Sequence, residues 1–201
     1  MAPRLEAPDR PWMETDLRAI PRDNHRYEII DGALHVSAPL DDDHRRLVEH
    51  VAGDLRTAVP PGWTVTSGVG LHAGASYLTP DVTVLLPGTP KGGTWVESAD
   101  VALVVEVECP SSRRFDRCVK PGLYADAGID AFWRIERTSN GPVAHLYARA
   151  AVGHYDLHRS VNPGECVTAE LPYAVQVAPA TWPMPSSSGA ASPRPAASRD
   201  D

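Results

Sequence analysis

Residues 101–120 read VALVVEVECPSSRRFDRCVK. Five apolar residues, Val101 to Val105, lead into Glu106, Val107 and Glu108; Cys109-Pro110 and two serines follow, then a basic segment ending at Lys120. From Val101 to Val107 apolar side chains occupy consecutive rather than alternate positions, as in a central strand covered on both faces. Such a strand should avoid a carboxylate, because an unpaired charge at a desolvated strand end costs on the order of several kcal/mol. Glu106 therefore asks for a cation.

On the C-terminal side, a helix is predicted from near Asp116 to Ala127, stopped by Gly128. AFWRIER (131–137), AHLYARA (144–150) and HYDLHRS (154–160) read as further strands. On the N-terminal side, Asp81 to Leu86, Val69 to His72 and Trp63 to Thr66 are strand-like. Before them, DDDHRRLVEHVAGDLRTAV (41–59) places Leu47, Val48, Val51 and Leu55 at helical spacing, with aspartates at its start and Pro60-Pro61-Gly62 at its end. HRYEIIDGALHVSA (25–38) reads as two strands around Asp31-Gly32, a pair that favours a tight hairpin turn. Thr15 is predicted to cap a short helix over Asp16 to Ile20, closed by Pro21. The expected fold class is α/β, a mixed sheet flanked by helices. Expected boundaries are an N-terminal extension at 1–14, one domain at 15–182, and a disordered Pro/Ser/Ala tail at 183–201.

Composition narrows the classes. Hydrophobic residues at 42 % and charged residues at 22 % suit a globular domain, and no apolar run approaches the roughly 18 residues of a membrane span. The start, MAPRLEAPDRPWMETDL, has no apolar signal-peptide core, so the cytoplasm is expected. Cys109, Cys118 and Cys166 are odd in number and lack a C-x-x-C pair, which argues against a disulfide frame or a zinc site. A net charge of −7 argues against a broad basic surface for nucleic acid, so any phosphate binding is local or metal-assisted. LPGTPKGGTW (86–95) has the wrong spacing for a phosphate loop, and no G-x-S-x-G elbow or G-x-G-x-x-G occurs.

The remaining chemistry is acidic. Glu28 precedes the hairpin turn, Pro80-Asp81 opens a strand, and Glu106 lies near the end of the central one. Converging carboxylates repel one another unless protonated or bound to a cation. A hard divalent ion, Mg²⁺ or Mn²⁺, meets that need with oxygen ligands. Lys120 beside it could position a water or neutralise charge on a phosphate. Bland readings stand next to these: Glu28 as a solvated hairpin residue, Pro80-Asp81 as a turn, Tyr124 as packing. His44, in register with Val48, Val51 and Leu55, suits the core as well as a site. Arg113, Arg114, Arg117 and Lys120 could form a solvated face or touch a nucleic-acid backbone. Asp116 and Lys120 have the spacing of an i,i+4 ion pair, worth about a few tenths of a kcal/mol if exposed.

YEIIDGAL at 27–34, His44, PDV at 80–82, VVEVECPS at 104–111, Asp116, Lys120, Tyr124, AGI at 127–129 and Trp133 together resemble the Uma-two family of restriction-endonuclease-like proteins, within the PD-(D/E)xK nuclease superfamily. The resemblance covers residues 15 to 177 and implies a restriction-endonuclease-like fold with a divalent metal site. Carried over by position, it implies Asp81 and Glu106 as metal carboxylates and the Val107 carbonyl as a further ligand. It implies Glu28 as an additional acidic residue, Lys120 as the catalytic lysine, and His44 and Tyr124 lining the site. The chain departs from the pattern at three places. Glu108 stands where an apolar residue is expected, on the face of Glu106, where it joins the metal or disturbs it. Cys109 replaces a serine. Pro121 follows Lys120 directly, so either the helix starts late or the lysine is presented differently. The expected function is Mg²⁺-dependent endonucleolytic hydrolysis of nucleic acid, DNA first, by a protein that could act as a homodimer. The alternatives are a catalytically silent binding or interaction module and hydrolysis of another phosphate ester.

Overall fold

In the computed structural model, residues 5–21, 23–90, 92–150 and 153–183 are described. The tail expected from residue 183 lies, apart from Pro183, outside the described residues. In chain order the elements are α1 (Glu14–Ala19), β1 (Arg26–Ile30), β2 (Ala33–Ser37), α2 (Asp42–Ala58), β3 (Thr64–Ser67), β4 (Gly70–Ala73), β5 (Ser76–Leu78), β6 (Val82–Leu85), β7 (Trp95–Glu97), β8 (Val101–Val107), α3 (Arg113–Cys118), α4 (Lys120–Asp126), β9 (Ala131–Thr138), β10 (Gly141–Arg149), β11 (Tyr155–Val161), β12 (Val167–Ala169) and β13 (Val175–Val177). The class is the mixed α/β expected, with the strands divided between sheets. One sheet has the order β2-β1-β5-β4-β7, a second β11-β10-β9-β8-β6-β3, and β12 pairs with β13. The parallel pairs are β8 with β9 and β4 with β7.

All seven residues of β8 are buried, which explains its unbroken apolar run. One face packs Leu103, Val105 and Val107 with Leu47, Val51 and Leu55 of α2 and with Val175, Val177 and Trp182. The other puts Val104 with Tyr124 of α4, Ile129 and Phe132, and with Leu71 and Leu78 of the first sheet. Glu106 falls on this second face by strand alternation. The two sheets meet where Thr79-Pro80-Asp81 carries the chain from β5 to β6.

Local sequence explains most of the elements. Asp31 and Gly32 both have positive φ, 48° and 77°, the geometry of the tight turn joining β1 to β2. Asp41 caps α2 by accepting from the His44 N–H at 2.6 Å, which fixes His44 in the first turn. At α1 the expectation needs correcting: Thr15 lies inside the helix, and Asp16 reaches back to the Met13 N–H at 2.8 Å instead. The helix predicted over Asp116 to Ala127 is two helices, broken at Val119, whose φ and ψ are −113° and −60°. Pro121 sits in the first turn of α4, where its missing N–H costs no helical hydrogen bond. The late start of the second helix is thus the alternative realised, and it leaves Lys120 as the first residue of α4.

Candidate active site

Three parts of the fold bring acidic residues to one buried place. Glu28 comes from β1, Glu106 from β8, and Asp116 from α3, each almost fully enclosed. Lys120 lies among them, 1 % exposed, with its Nζ 3.0 Å from Glu106 Oε1, 3.1 Å from Glu28 Oε1 and 3.5 Å from Asp116 Oδ1. The Tyr124 hydroxyl donates to the same Glu106 Oε1 at 2.6 Å. Glu28 Oε1 also accepts from the Thr79 N–H at 2.8 Å, tying β1 to the segment that crosses between sheets. Ser112 donates to Asp116.

Asp81 stands beside this group. Val82 pairs with Val105, so Asp81 and Glu106 occupy the next cross-strand position. Its two oxygens have different roles. Oδ2 accepts from the Val107 N–H at 2.8 Å and lies 3.2 Å from His44 Nε2, which anchors the carboxylate to the end of β8. Oδ1 meets Arg26 Nη2 at 2.5 Å. His44 Nε2 is also 2.9 Å from the Val107 carbonyl, while its Nδ1 is buried without a partner.

The charges are unbalanced. Four carboxylates gather here, and among the described residues the lysine and arginine side chains meeting them are Lys120 and Arg26. Burial, joined by repulsion from Asp116, Asp81 and Glu28, pushes the Glu106 carboxyl up to about 8 even though Lys120 opposes the shift. Asp116 is raised mainly by burial as well. Burial would also raise Asp81, but Arg26 and then His44 outweigh it and hold the group well below the usual carboxylate range. Burial alone would lower Lys120; Glu106, Glu28 and Asp116 carry it above its ordinary value instead.

Glu28, Asp81, Glu106, Lys120, Tyr124 and His44 thus come together, and Val107 touches the group through its backbone. Glu108 goes elsewhere. It lies just past β8 in a buried position, where Arg117 grips it with Nε at 2.6 Å and Nη2 at 2.8 Å, Arg134 donates to it, and Arg113 lies at 3.4 Å. The basic segment is therefore divided: Arg113 and Arg117 serve Glu108, and Lys120 is buried with the carboxylates. Glu108→Gln is expected to lower stability by about 2 kcal/mol, from weakened charge-assisted hydrogen bonds, and to leave Mn²⁺ uptake unchanged. Urea unfolding and calorimetric titration would check both, and altered uptake would return Glu108 to the metal site.

Sequence reading missed two members of the cluster. Arg26 stands two residues before Glu28 on β1, so alternation alone placed both side chains on one face. Spacing marks Asp116 only as the i,i+4 partner of Lys120; the pair is present, but buried, and Asp116 is 1 % exposed.

Among the described residues no group of three or more His, Cys, Asp or Glu side chains is arranged to hold a metal ion. The donor chemistry nevertheless suits a hard cation. Glu106 Oε2 is buried without a hydrogen-bond partner, and Asp81 has one anchored oxygen and one held only by a side chain. A divalent ion would take Asp81 Oδ1 and Glu106 Oε2, with Glu28 nearby. In the geometry present, Arg26 covers the first of these, and the Val107 carbonyl faces His44.

A cleft of about 280 Å³ gives access to Asp81, lined by Arg26, His44, Arg45, Ser67 and Gly68 among others. A second, of about 400 Å³, shares Arg26, Leu40 and Arg45 with it and extends to Tyr27 and Trp95.

Comparison with known proteins agrees with this architecture. No curated protein matches the chain. The crystal structure of a putative nuclease belonging to DUF820, from Anabaena variabilis, is similar with a TM-score of 0.61 and 13 % sequence identity, over 77 % of this chain and 87 % of that one. At that identity the likeness is one of fold. The model of the Uma2 family, described as "Putative restriction endonuclease", matches residues 14–180, which is most of the chain, and the protein belongs to that family.

Proposed function

We propose that the protein is a metal-dependent endonuclease that hydrolyses phosphodiester bonds of nucleic acid, DNA first, at the Asp81–Glu106 site. The observation that carries this reading is the charge deficit: four buried carboxylates from separate elements share Lys120 and Arg26, and one oxygen of Glu106 has no partner. The family description and the nuclease-like fold support the same class of chemistry.

Asp81 and Glu106 would hold the ion. When bound, Mg²⁺ or Mn²⁺ supplies Lewis acidity toward a phosphoryl oxygen. The chain's own residues prepare the place. The Val107 amide and His44 fix Asp81 from one side, so that Oδ1 is the oxygen presented. Lys120 and Tyr124 fix Glu106 Oε1, so that Oε2 is presented. Lys120, shared among three carboxylates, acts in this reading as a positioning residue and charge balance, a narrower role than orienting the water. Arg26 and Arg45, which line both clefts, are placed to meet a phosphate backbone. A symmetric pair of chains would put one such site on each strand of a duplex.

Cleavage of labelled double- and single-stranded DNA and RNA, with Mg²⁺, Mn²⁺ or EDTA, tests the reading. Metal-dependent cutting lost in Asp81→Asn supports it; no cutting of any substrate by folded protein overturns it. A second reading, a silent nuclease-fold binding module, is favoured by Arg26 on Asp81 and His44 on the Val107 carbonyl. Mn²⁺ uptake separates the two, because a silent module has no need of it.

A further inference from the structure

We propose that Arg26 is the resident cation of this site, seated on Asp81 Oδ1 in the metal-free protein and displaced into the adjoining groove when a divalent ion binds. The inference rests on the metal-dependent reading above, and it concerns a residue that reading does not require.

Four observations support it. Asp81 Oδ2 is already engaged by the Val107 amide and by His44, so an incoming ion competes for Oδ1, the oxygen Arg26 holds at 2.5 Å. Arg26 stands two residues before Glu28 on β1, so its guanidinium shares the face on which Glu28 meets Lys120. Lys120, by contrast, is enclosed among Glu28, Glu106 and Asp116 and has nowhere to go. Arg26 has an exit: its side chain is 15 % exposed and forms part of the wall of both clefts. A long side chain pivoting on β1 can release Asp81 and remain beside Arg45, where a guanidinium suits a phosphate oxygen.

The consequence is a coupling. A cation on Asp81 frees a second cation toward the groove, so metal uptake and phosphate binding favour each other. The metal-free protein avoids an unpaired buried Asp81 at the expense of weaker metal affinity.

Two measurements on the full chain test this. The first is Mn²⁺ affinity, by calorimetric titration, for the parent, Arg26→Met and Arg26→Gln. Removing the competitor is expected to tighten binding about tenfold or more, the equivalent of one charge-assisted hydrogen bond. Arg26→Gln keeps a donor beside Asp81 should the Met protein fold poorly, and thermal unfolding in Mn²⁺ against EDTA reports the same linkage, with the larger stabilisation in the variants. The second measurement is arginine modification by phenylglyoxal, read by mass spectrometry. Mn²⁺ is expected to increase labelling of Arg26 relative to Arg10, which is exposed and paired with Asp16.

Parent-like Mn²⁺ affinity in both variants, or Arg26 labelling unchanged or lowered by Mn²⁺, overturns the displacement while leaving the metal site standing. Absence of Mn²⁺ binding in the parent and both variants overturns the metal-dependent reading itself. Weaker binding in the variants would also reject the proposal, since it would make Arg26 a support of the ion rather than its competitor.

Discussion

Glu106→Gln is expected to abolish metal-dependent cutting, by at least about 10³-fold, while leaving a folded protein whose stability no longer falls as steeply with pH. Both effects come from one atom set. Gln keeps the shape and can still accept from Lys120 and Tyr124, but it offers a cation a neutral oxygen in place of a carboxylate. The pH effect follows from the buried carboxyl being pushed up to about 8 from an ordinary 4.5. Between those values the folded state keeps a proton that the unfolded chain releases, so the parent loses stability as pH rises through that window. Below it both states are protonated, and above it both are ionised, so the slope from this group disappears at either end. Gln does not titrate. Asp116, raised in the same direction, leaves the variant some residual slope. Urea midpoints for parent and variant, measured across pH 5 to 8 in EDTA, compare the slopes directly, and parallel lines would place Glu106 outside the buried cluster. Adding Mn²⁺ should flatten the parent's slope as well, because a cation takes over from the proton. A variant that still cuts would remove Glu106 from the site whatever its effect on stability.

The parts of this protein that could be read in its sequence are those set by local rules. Seven consecutive buried residues made β8 legible as a central strand, Asp31-Gly32 the hairpin, and Asp41 the start of α2. Glu106 was informative because it broke its own strand's pattern, and a conflict between local pattern and chemistry marks functional positions. Less legible were β5, β7, β12 and β13, each three residues long and too short for a period to register. The break at Val119 was signalled by Pro121 but not located by it, since a proline in a first turn and one in a helix interior look alike in sequence. The roles of Arg26 and Glu108 were illegible for a different reason. Glu108, beside Glu106, could be read as joining the metal or disturbing it, and no motif in the local sequence marked Arg26, yet the tertiary fold brings three arginines to Glu108 and carries Arg26 inward to Asp81. Ion partners far apart in the chain are chosen by sheet register and helix placement, which no single segment encodes.

Lys120→Met is expected to be the most destabilising single change at the site, by about 3–5 kcal/mol, because it strands Glu28, Glu106 and Asp116 without their shared cation in a water-free space. The size of the loss measures what the lysine does. A lysine whose main role is to touch a reacting phosphate would be replaced at little structural cost, and its loss would appear in turnover alone. A lysine that holds three carboxylates apart should be missed by the fold first. The double variant Lys120→Met with Glu106→Gln sharpens the distinction. Removing one partner of a buried pair leaves an uncompensated charge, whereas removing both charges exchanges an ion pair for neutral packing. The double variant should therefore recover the part of the loss that belongs to Glu106, with Glu28 and Asp116 still unpaired, and show a coupling energy in the range of about 0.5–3 kcal/mol expected of residues in direct contact. Urea unfolding of the four proteins closes the cycle. A Lys120→Met protein as stable as the parent, or a double variant whose losses simply add, would show that the lysine does not neutralise Glu106, and the assignment of Lys120 as a positioning residue would give way to direct contact with substrate.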